Sequence, residues 1–301
     1  MGKTTVWSQA GQAGVKAKAN QGVFVRQGST SPSIYWVVGS GTNIGKTTIA
    51  TALIRALNGN GERAVGFKPY ASSRLYDLID FMIEVYPRSQ CKLFGKDAWR
   101  LSTASPLTGA DLVDLVVPTQ LLSHPTWRSI LLMRTGTTQL NNVEFFCSEY
   151  GAKLKERSDL RHIIGRTGLP FDSSVLKADI DITYAPCVSP EKQRDAFNAL
   201  LDIGVDAVVC EGAGEWLPIW QDCPVVNHVI FVTGGVVNLF PNLDVGFSFN
   251  PTAPARHVGE LAEVLKNPAL RRFSSPLYLV EEERRERMAQ RIVQELVAKV
   301  Q

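Results

Sequence analysis

The residues best suited to chemistry stand together in Gly39-Ser40-Gly41-Thr42-Asn43-Ile44-Gly45-Lys46-Thr47-Thr48. A small-residue loop ending in Gly-Lys-Thr can turn its backbone N–H groups toward an anion, and the lysine adds a full positive charge. Thr47 holds the place where such a loop sets a hydroxyl against Mg2+. Gly39, Gly41, Thr42, Asn43, Ile44, Gly45, Lys46, Thr47 and Thr48 are therefore the candidate phosphate cradle. The common form of the loop has a glycine six residues before its lysine. Here that place is Ser40, and the glycine stands one step earlier at Gly39, so the loop is one residue longer. Gly2-Lys3-Thr4-Thr5 repeats the letters with no strand ahead of it and is set aside.

A cradle of this kind needs a buried strand before it and a helix whose N-terminus faces the anion. Ile34 to Val38 is a short apolar run that predicts the strand. Ile49, Ala50, Ala52, Leu53, Ala56 and Leu57 recur at helical spacing and predict the helix. Ala64 to Phe67 reads as a second strand, after the turn Asn58-Gly59-Asn60-Gly61, and delivers Lys68-Pro69-Tyr70-Ala71-Ser72-Ser73. Val205 to Cys210 reads as another, ending in Glu211-Gly212-Ala213-Gly214-Glu215-Trp216. A carboxylate at the end of a buried strand is costly without a metal or a partner, which singles out Glu211. Lys68 also fits a plain surface lysine, and Asp97 fits a helix N-cap.

The remaining pattern alternates. Residues 74–86 read as an amphipathic helix, and 107–124 as a helix and its connection. Ser129 to Met133 and Val225 to Thr233 read as strands, and Pro190 to Leu201 as a helix. His257 to Leu265 and Glu282 to Val300 read as helices around a last strand, Leu277 to Val280. Strands alternating with helices predict an α/β fold, a mostly parallel sheet with helices on both faces. Ligands of such sheets bind at the carboxyl ends of strands, where all three polar motifs lie. Residues 1–32, rich in Gly, Gln, Ala and Ser, read as a basic polar arm. Residues 33–301 read as a single domain with an insertion at about 137–187.

The chain of 301 residues is 45% hydrophobic and 20% charged, an ordinary globular composition. No window of about 18 uncharged apolar residues predicts a membrane span. The first residues lack an apolar signal core, and the five cysteines have no close paired spacing. Together these predict a reducing, cytoplasmic setting without a zinc site. The net charge of +3 is small, but its distribution is uneven. Lys3, Lys16, Lys18 and Arg26 are unopposed in the first thirty residues, and Lys153, Lys155, Arg157, Arg161 and Arg166 face only Glu156 and Asp159. Such runs are solvated faces or contacts to a polyanion.

The ordered trio GSGTNIGKTT, GFKPYAS and CEGAGEW resembles dethiobiotin synthetase and its P-loop relatives over roughly residues 34–102 and 205–235. The resemblance implies a P-loop NTPase-like fold with ATP and Mg2+ as cofactors. It implies that Lys46 and the loop bind the ATP phosphates, and that Thr47, Asp97 and Glu211 hold Mg2+. It implies that Lys68 faces the transferring phosphoryl group and the acceptor, with Ser72, Gly212 and Ala213 beside the substrate. Asn250, before Pro251, is read as a turn rather than as a polar neighbour of the adenine.

The chain departs from that family's pattern at the acceptor. Gly41 stands where the family carries an acidic residue, Glu215 replaces the last glycine of Gly-Ala-Gly-Gly, and VTGGVVNL at 232–239 lacks a Lys-Leu-Gly sequence. The expected reaction is therefore a kinase reaction onto a hydroxyl, with Lys46 and Lys68 on the phosphoryl group and Glu215 or Asp97 as base. Relatives that phosphorylate 5-hydroxymethyluracil in phage DNA fit this expectation, with the basic segments against double-stranded DNA and host cytoplasm as the location. Dethiobiotin synthetase itself, an ATP-dependent ring-forming ligase, is the alternative. A partitioning or regulatory ATPase is third, because residues 39–45 lack the extra lysine of that group. A homodimer is left open.

Overall fold

The computed structural model describes residues 31–89, 93–107, 112–124, 130–154, 161, 165–167, 169, 174–175, 189–233, 236–240, 245–247, 257–264, 272–274 and 282–298. The arm read at 1–32, apart from its last two residues, lies outside them, as do the strand read at 277–280 and Asn250. The first half of the chain forms β1 (Ser33–Gly39), α1 (Lys46–Gly59), β2 (Ala64–Phe67), β3 (Tyr70–Arg74), α2 (Leu75–Val85), α3 (Lys96–Ala104), α4 (Val113–Val116), β4 (Thr119–Ser123), β5 (Ile130–Thr135), β6 (Glu144–Cys147) and α5 (Glu149–Leu154). The second half forms β7 (Ser174–Val175), α6 (Pro190–Asp202), β8 (Ala207–Glu211), β9 (His228–Thr233), β10 (Val236–Phe240), α7 (Val258–Val264), β11 (Arg272–Ser274) and α8 (Glu282–Val297).

The main sheet has six strands in the order β11-β10-β9-β1-β8-β2. Its middle is parallel: β1 pairs with β8 on one side and β9 on the other, and β8 pairs with β2. Only β10 runs against the others, antiparallel to both β9 and β11. A central parallel strand is covered on both faces, so it needs apolar residues at every position rather than at alternate ones. β1 meets that need, being buried from Ile34 through Gly39. Tyr35 and Val37 face the core built with α1 and α8, whereas Ile34, Trp36 and Val38 face the core built with α6 and α7. Helices thus flank both faces, as the alternation predicts.

A second sheet of five strands, β3-β4-β5-β6-β7, takes up the chain between the first and second halves of the main sheet. It is mixed: β3 and β4 are parallel, and β4, β5 and β6 are antiparallel. Here the structure corrects the sequence reading, because Thr119–Ser123 is a strand and not the connection after a helix. The helix expected before it is only the four residues Val113–Val116. The reason is burial of polar groups. Thr119 and Gln120 are fully buried and hydrogen-bonded, Thr119 to Gln193 and Gln120 to the backbone of Leu121 and Gly95. Buried polar residues erase the alternation by which a strand is read. Arg134 of β5 is likewise fully buried, and its guanidinium donates to the carbonyls of Leu93 (3.0 Å), Gly136 (2.7 Å) and Val117 (2.6 Å). It ties β5 to the chain just before α3 and just before β4.

His228 opens β9 and stacks on Tyr35 of β1, with ring centroids 4.5 Å apart. Burial holds its pKa below the ordinary 6.5, and its Nδ1 has no hydrogen-bond partner. The unfolded chain therefore accepts a proton, from about pH 6.5 downward, that the folded chain refuses. Stability drawn from neutral His228 is complete above that pH and falls as pH drops toward the folded pKa. His228→Phe keeps a ring on Tyr35 and removes the proton site. The denaturant midpoint of the variant should fall less between pH 7 and pH 5.5 than that of the wild type. Parallel pH profiles would show that His228 does not limit acid stability.

Candidate active site at the carboxyl ends of the central strands

Parallel pairing brings the polar motifs together before any side chain is considered. Val37 stands opposite Glu211, and Phe67 stands opposite Cys210. The next residue after Phe67 is Lys68, so Lys68 and Glu211 leave neighbouring strands at the same level. The loop after β1 opens at that end too. Gly39 abuts β9: a Cβ there would lie 2.1 Å from the Val232 carbonyl oxygen. Ser40, where the common loop has its glycine, is exposed. This is the physical reason for the displaced glycine, since the tight approach falls on residue 39. Gly45 has a φ of 100°, a conformation open to glycine, and hands the chain to α1.

Lys46 begins α1 and is buried. Its ammonium donates to the carbonyl of Gly41 and, at 2.8 Å, to that of Gly214. Burial lowers its pKa to about 8, against the pull of Glu211 and Asp97. Beside it four side chains close a ring. The Thr47 hydroxyl lies 3.0 Å from Asp97 Oδ1 and 2.9 Å from Glu211 Oε1. The Lys68 ammonium lies 2.8 Å from Asp97 Oδ2 and 2.9 Å from Glu211 Oε1. Asp97 reaches the ring from the first turn of α3, whose start is anchored by the Gly95 N–H donating to Gln120 Oε1 at 3.0 Å.

The charges of the ring are mutually dependent. Burial opposes the charge of Lys68, but Asp97 and Glu211 override it and hold the pKa above the ordinary lysine value. Burial likewise works against charged Asp97, yet Lys68 and the Thr47 hydroxyl keep its pKa low. Glu211 is the exception: burial, reinforced by the charge of Asp97, pushes its pKa up despite Lys68. Asp97 is about half exposed at its side-chain surface, whereas Glu211 is buried, so Glu211 bears the greater desolvation.

The donor set suits a small hard cation. Three oxygen-bearing side chains converge, and Glu211 Oε2 is buried with no hydrogen-bond partner. An orphaned carboxylate oxygen inside such a cluster is the kind of vacant coordination that Mg2+ would satisfy. Among the described residues no group of three or more His, Cys, Asp or Glu forms a metal cluster.

The other sequence candidates take different places. Ile44 packs against the core, and Thr48 is buried in the first turn of α1. Gly41 contributes its carbonyl to Lys46, and Asn43 has a φ of 59° in the loop. Ser72 stands on β3 opposite Leu121, in the second sheet. The Gly212 N–H donates to the Val37 carbonyl at 3.1 Å, and Ala213 packs with Trp216 on a small apolar cluster of Tyr70, Leu121, Ile130 and Met133. Glu215 is exposed and stays outside the ring. Its Oε2 lies 3.1 Å from His257 Nε2. The Gly259 N–H donates to His257 Nδ1 at 2.9 Å, which leaves the proton on Nε2 to be donated to Glu215. His257 was not a sequence candidate. The only signal was a capping pattern, His257 followed three residues later by Glu260, whose Oε1 accepts the His257 N–H at 3.2 Å.

Fold, loop and polar ring together make an α/β protein with a mostly parallel main sheet, compatible with the P-loop NTPase type. No protein-family model matches the chain. Short stretches of it are similar to curated proteins. One of 39 residues is 54% identical to the ATP-dependent dethiobiotin synthetase BioD 1 of Haemophilus influenzae and covers 13% of this chain and 16% of that protein. One of 46 residues is 48% identical to the ATP-dependent dethiobiotin synthetase BioD of Xylella fastidiosa and covers 15% of this chain and 20% of that protein. The similarity thus spans a fifth or less of these relatives.

Among the described residues no helix is long and apolar enough to cross a membrane.

Proposed function

We propose that this protein uses ATP and Mg2+ to move the γ-phosphoryl group to an acceptor hydroxyl. The observation that carries the reading is the ring of Thr47, Lys68, Asp97 and Glu211, set beside Lys46 at the carboxyl ends of parallel strands. Phosphoryl transfer asks for positioning and for positive charge around the equatorial oxygens more than for covalent help. The loop N–H groups and Lys46 would orient the phosphates. Thr47, Asp97 and Glu211 would hold Mg2+, which neutralises phosphate charge when bound. Lys68 would face the transferred group.

Of the two base candidates, Glu215 is favoured. Asp97 is engaged with Lys68 and Thr47, whereas Glu215 is exposed, oriented by His257 and one residue beyond the Gly214 carbonyl that receives Lys46. The hydroxyl oxygen would form the new P–O bond, its proton would pass to Glu215, and ADP would leave. Glu215→Gln should lower kcat on the order of 100-fold with the KM for ATP unchanged. An unaltered kcat would remove Glu215 from the reaction.

For the acceptor we favour 5-hydroxymethyluracil in double-stranded DNA. Support comes from Glu215 and Gly41 in place of the family's residues and from the basic composition of residues 1–30 and 153–166. The second reading is dethiobiotin synthetase, and the local similarity to two such enzymes favours it. Transfer of labelled γ-phosphate to duplexes with and without the modified base decides between them, alongside ATP consumption with the diamine and bicarbonate. Turnover only with the diamine and bicarbonate overturns the kinase reading.

A further inference from the structure

We propose that Lys68 is a tethered cation that occupies the metal position while the site is empty of nucleotide, and that it exchanges partners when Mg2+ and ATP arrive. The inference rests on the metal reading of the same ring given above. Its observations are geometric. The Lys68 ammonium touches both carboxylates, at 2.8 Å and 2.9 Å, and those are the groups that would hold the metal with Thr47. The Thr47 hydroxyl lies within hydrogen-bond distance of the same two carboxylates and can give its one proton to either. Lys68 fills the charge requirement incompletely. It and Thr47 both bind Glu211 Oε1, which leaves buried Oε2 without a partner.

The physical need for such a device is clear. Two carboxylates within reach of one ammonium, one of them fully buried, repel each other and pay desolvation when uncompensated. An ammonium on a four-carbon stem can neutralise one of the two charges without outside help. A divalent ion compensates both, and it repels the ammonium at contact distance. Lys68 must then swing from the carboxylates toward the nearest remaining negative charge, the phosphates of the nucleotide. The same side chain thus keeps the empty site folded and arrives on the transferred phosphoryl group only when metal and nucleotide are both present. A second consequence is that metal alone competes with Lys68 and binds weakly.

The test measures binding of Mn2+ alone, without nucleotide, by electron paramagnetic resonance. Lys68→Met keeps the stem and removes the charge, and it should bind Mn2+ at least tenfold more tightly than the wild type. Adding Glu211→Gln to Lys68→Met should erase that gain, which assigns it to this ring. Adding the β,γ-imido analogue of ATP should bring the wild type close to Lys68→Met. Equal or weaker Mn2+ binding by Lys68→Met, with binding to the nucleotide-loaded wild type intact, overturns the exchange and leaves the metal site standing. No Mn2+ binding by any form, nucleotide-loaded included, overturns the metal site with it. Should Lys68→Met not fold, the wild type decides through its 15N lysine ammonium signals, with Lys68 assigned by its loss in Lys68→Arg. The Lys68 signal should shift when Mg2+ and the analogue are added together; an unmoved signal overturns the proposal.

Discussion

Lys46→Ala is expected to lower γ-phosphoryl transfer on the order of 1,000-fold. The lysine is buried at the start of α1, and its ammonium is fixed by the carbonyls of Gly41 and Gly214 from two different loops. That double anchor aims a positive charge at the point where strand β1, its loop and the helix N-terminus converge. Backbone N–H groups carry partial charge only and stay where the loop puts them. They cannot follow charge that develops on the equatorial oxygens as the phosphoryl group departs. Burial has already stripped water from Lys46, which is why its pKa falls to about 8. An anion at the site restores the favourable environment of the charge, so the charged form and the bound phosphate support each other. Lys46→Met, which keeps the stem, should lose as much as Lys46→Ala, because charge and not packing is removed. A turnover within tenfold of wild type for either variant would refute the phosphate-binding role of the loop.

Glu211→Gln should lower Mg2+ affinity and rate together, each on the order of 100-fold. The substitution keeps the shape of the side chain at the end of β8 and deletes one negative charge. Glutamine can still accept from Thr47 and Lys68 through its carbonyl oxygen. What it cannot do is offer a second anionic oxygen where Oε2 now lies unpartnered. The relevant measurement is the Mg2+ concentration at half-maximal rate with ATP saturating. A variant with the wild-type Mg2+ profile would show that Glu211 is a structural strand end. This experiment and the Mn2+ titration of Lys68→Met approach one ring from its opposite charges, and their effects should be strongly non-additive because the two groups are in contact.

Much of the ring was legible in the sequence because its signals are local. An apolar run, a Gly-Lys-Thr loop and a helical repeat lie within one short stretch, and each is dictated by the backbone geometry of its own neighbours. Lys68 and Glu211 were legible as residues at the ends of apolar runs, and a parallel sheet sends such ends to one edge. Asp97 was not separable from an N-cap, since its role depends on where α3 packs. The chain alone does not say that a residue 50 positions beyond Thr47 will lie 3.0 Å from it. The displaced glycine was visible but had no explanation until the Val232 carbonyl was found against Gly39. Within the second sheet β5 is legible as an apolar run, but β4 is not, because it buries Thr119 and Gln120, whose hydrogen bonds to Gln193 and Gly95 lie far along the chain and leave no periodic trace. His257 was invisible as a partner of Glu215 for the same reason. Short-range patterning therefore determined the glycine loop and the strand ends, while the closing of the ring and the holding of Glu215 were decided by packing between segments far apart in the chain.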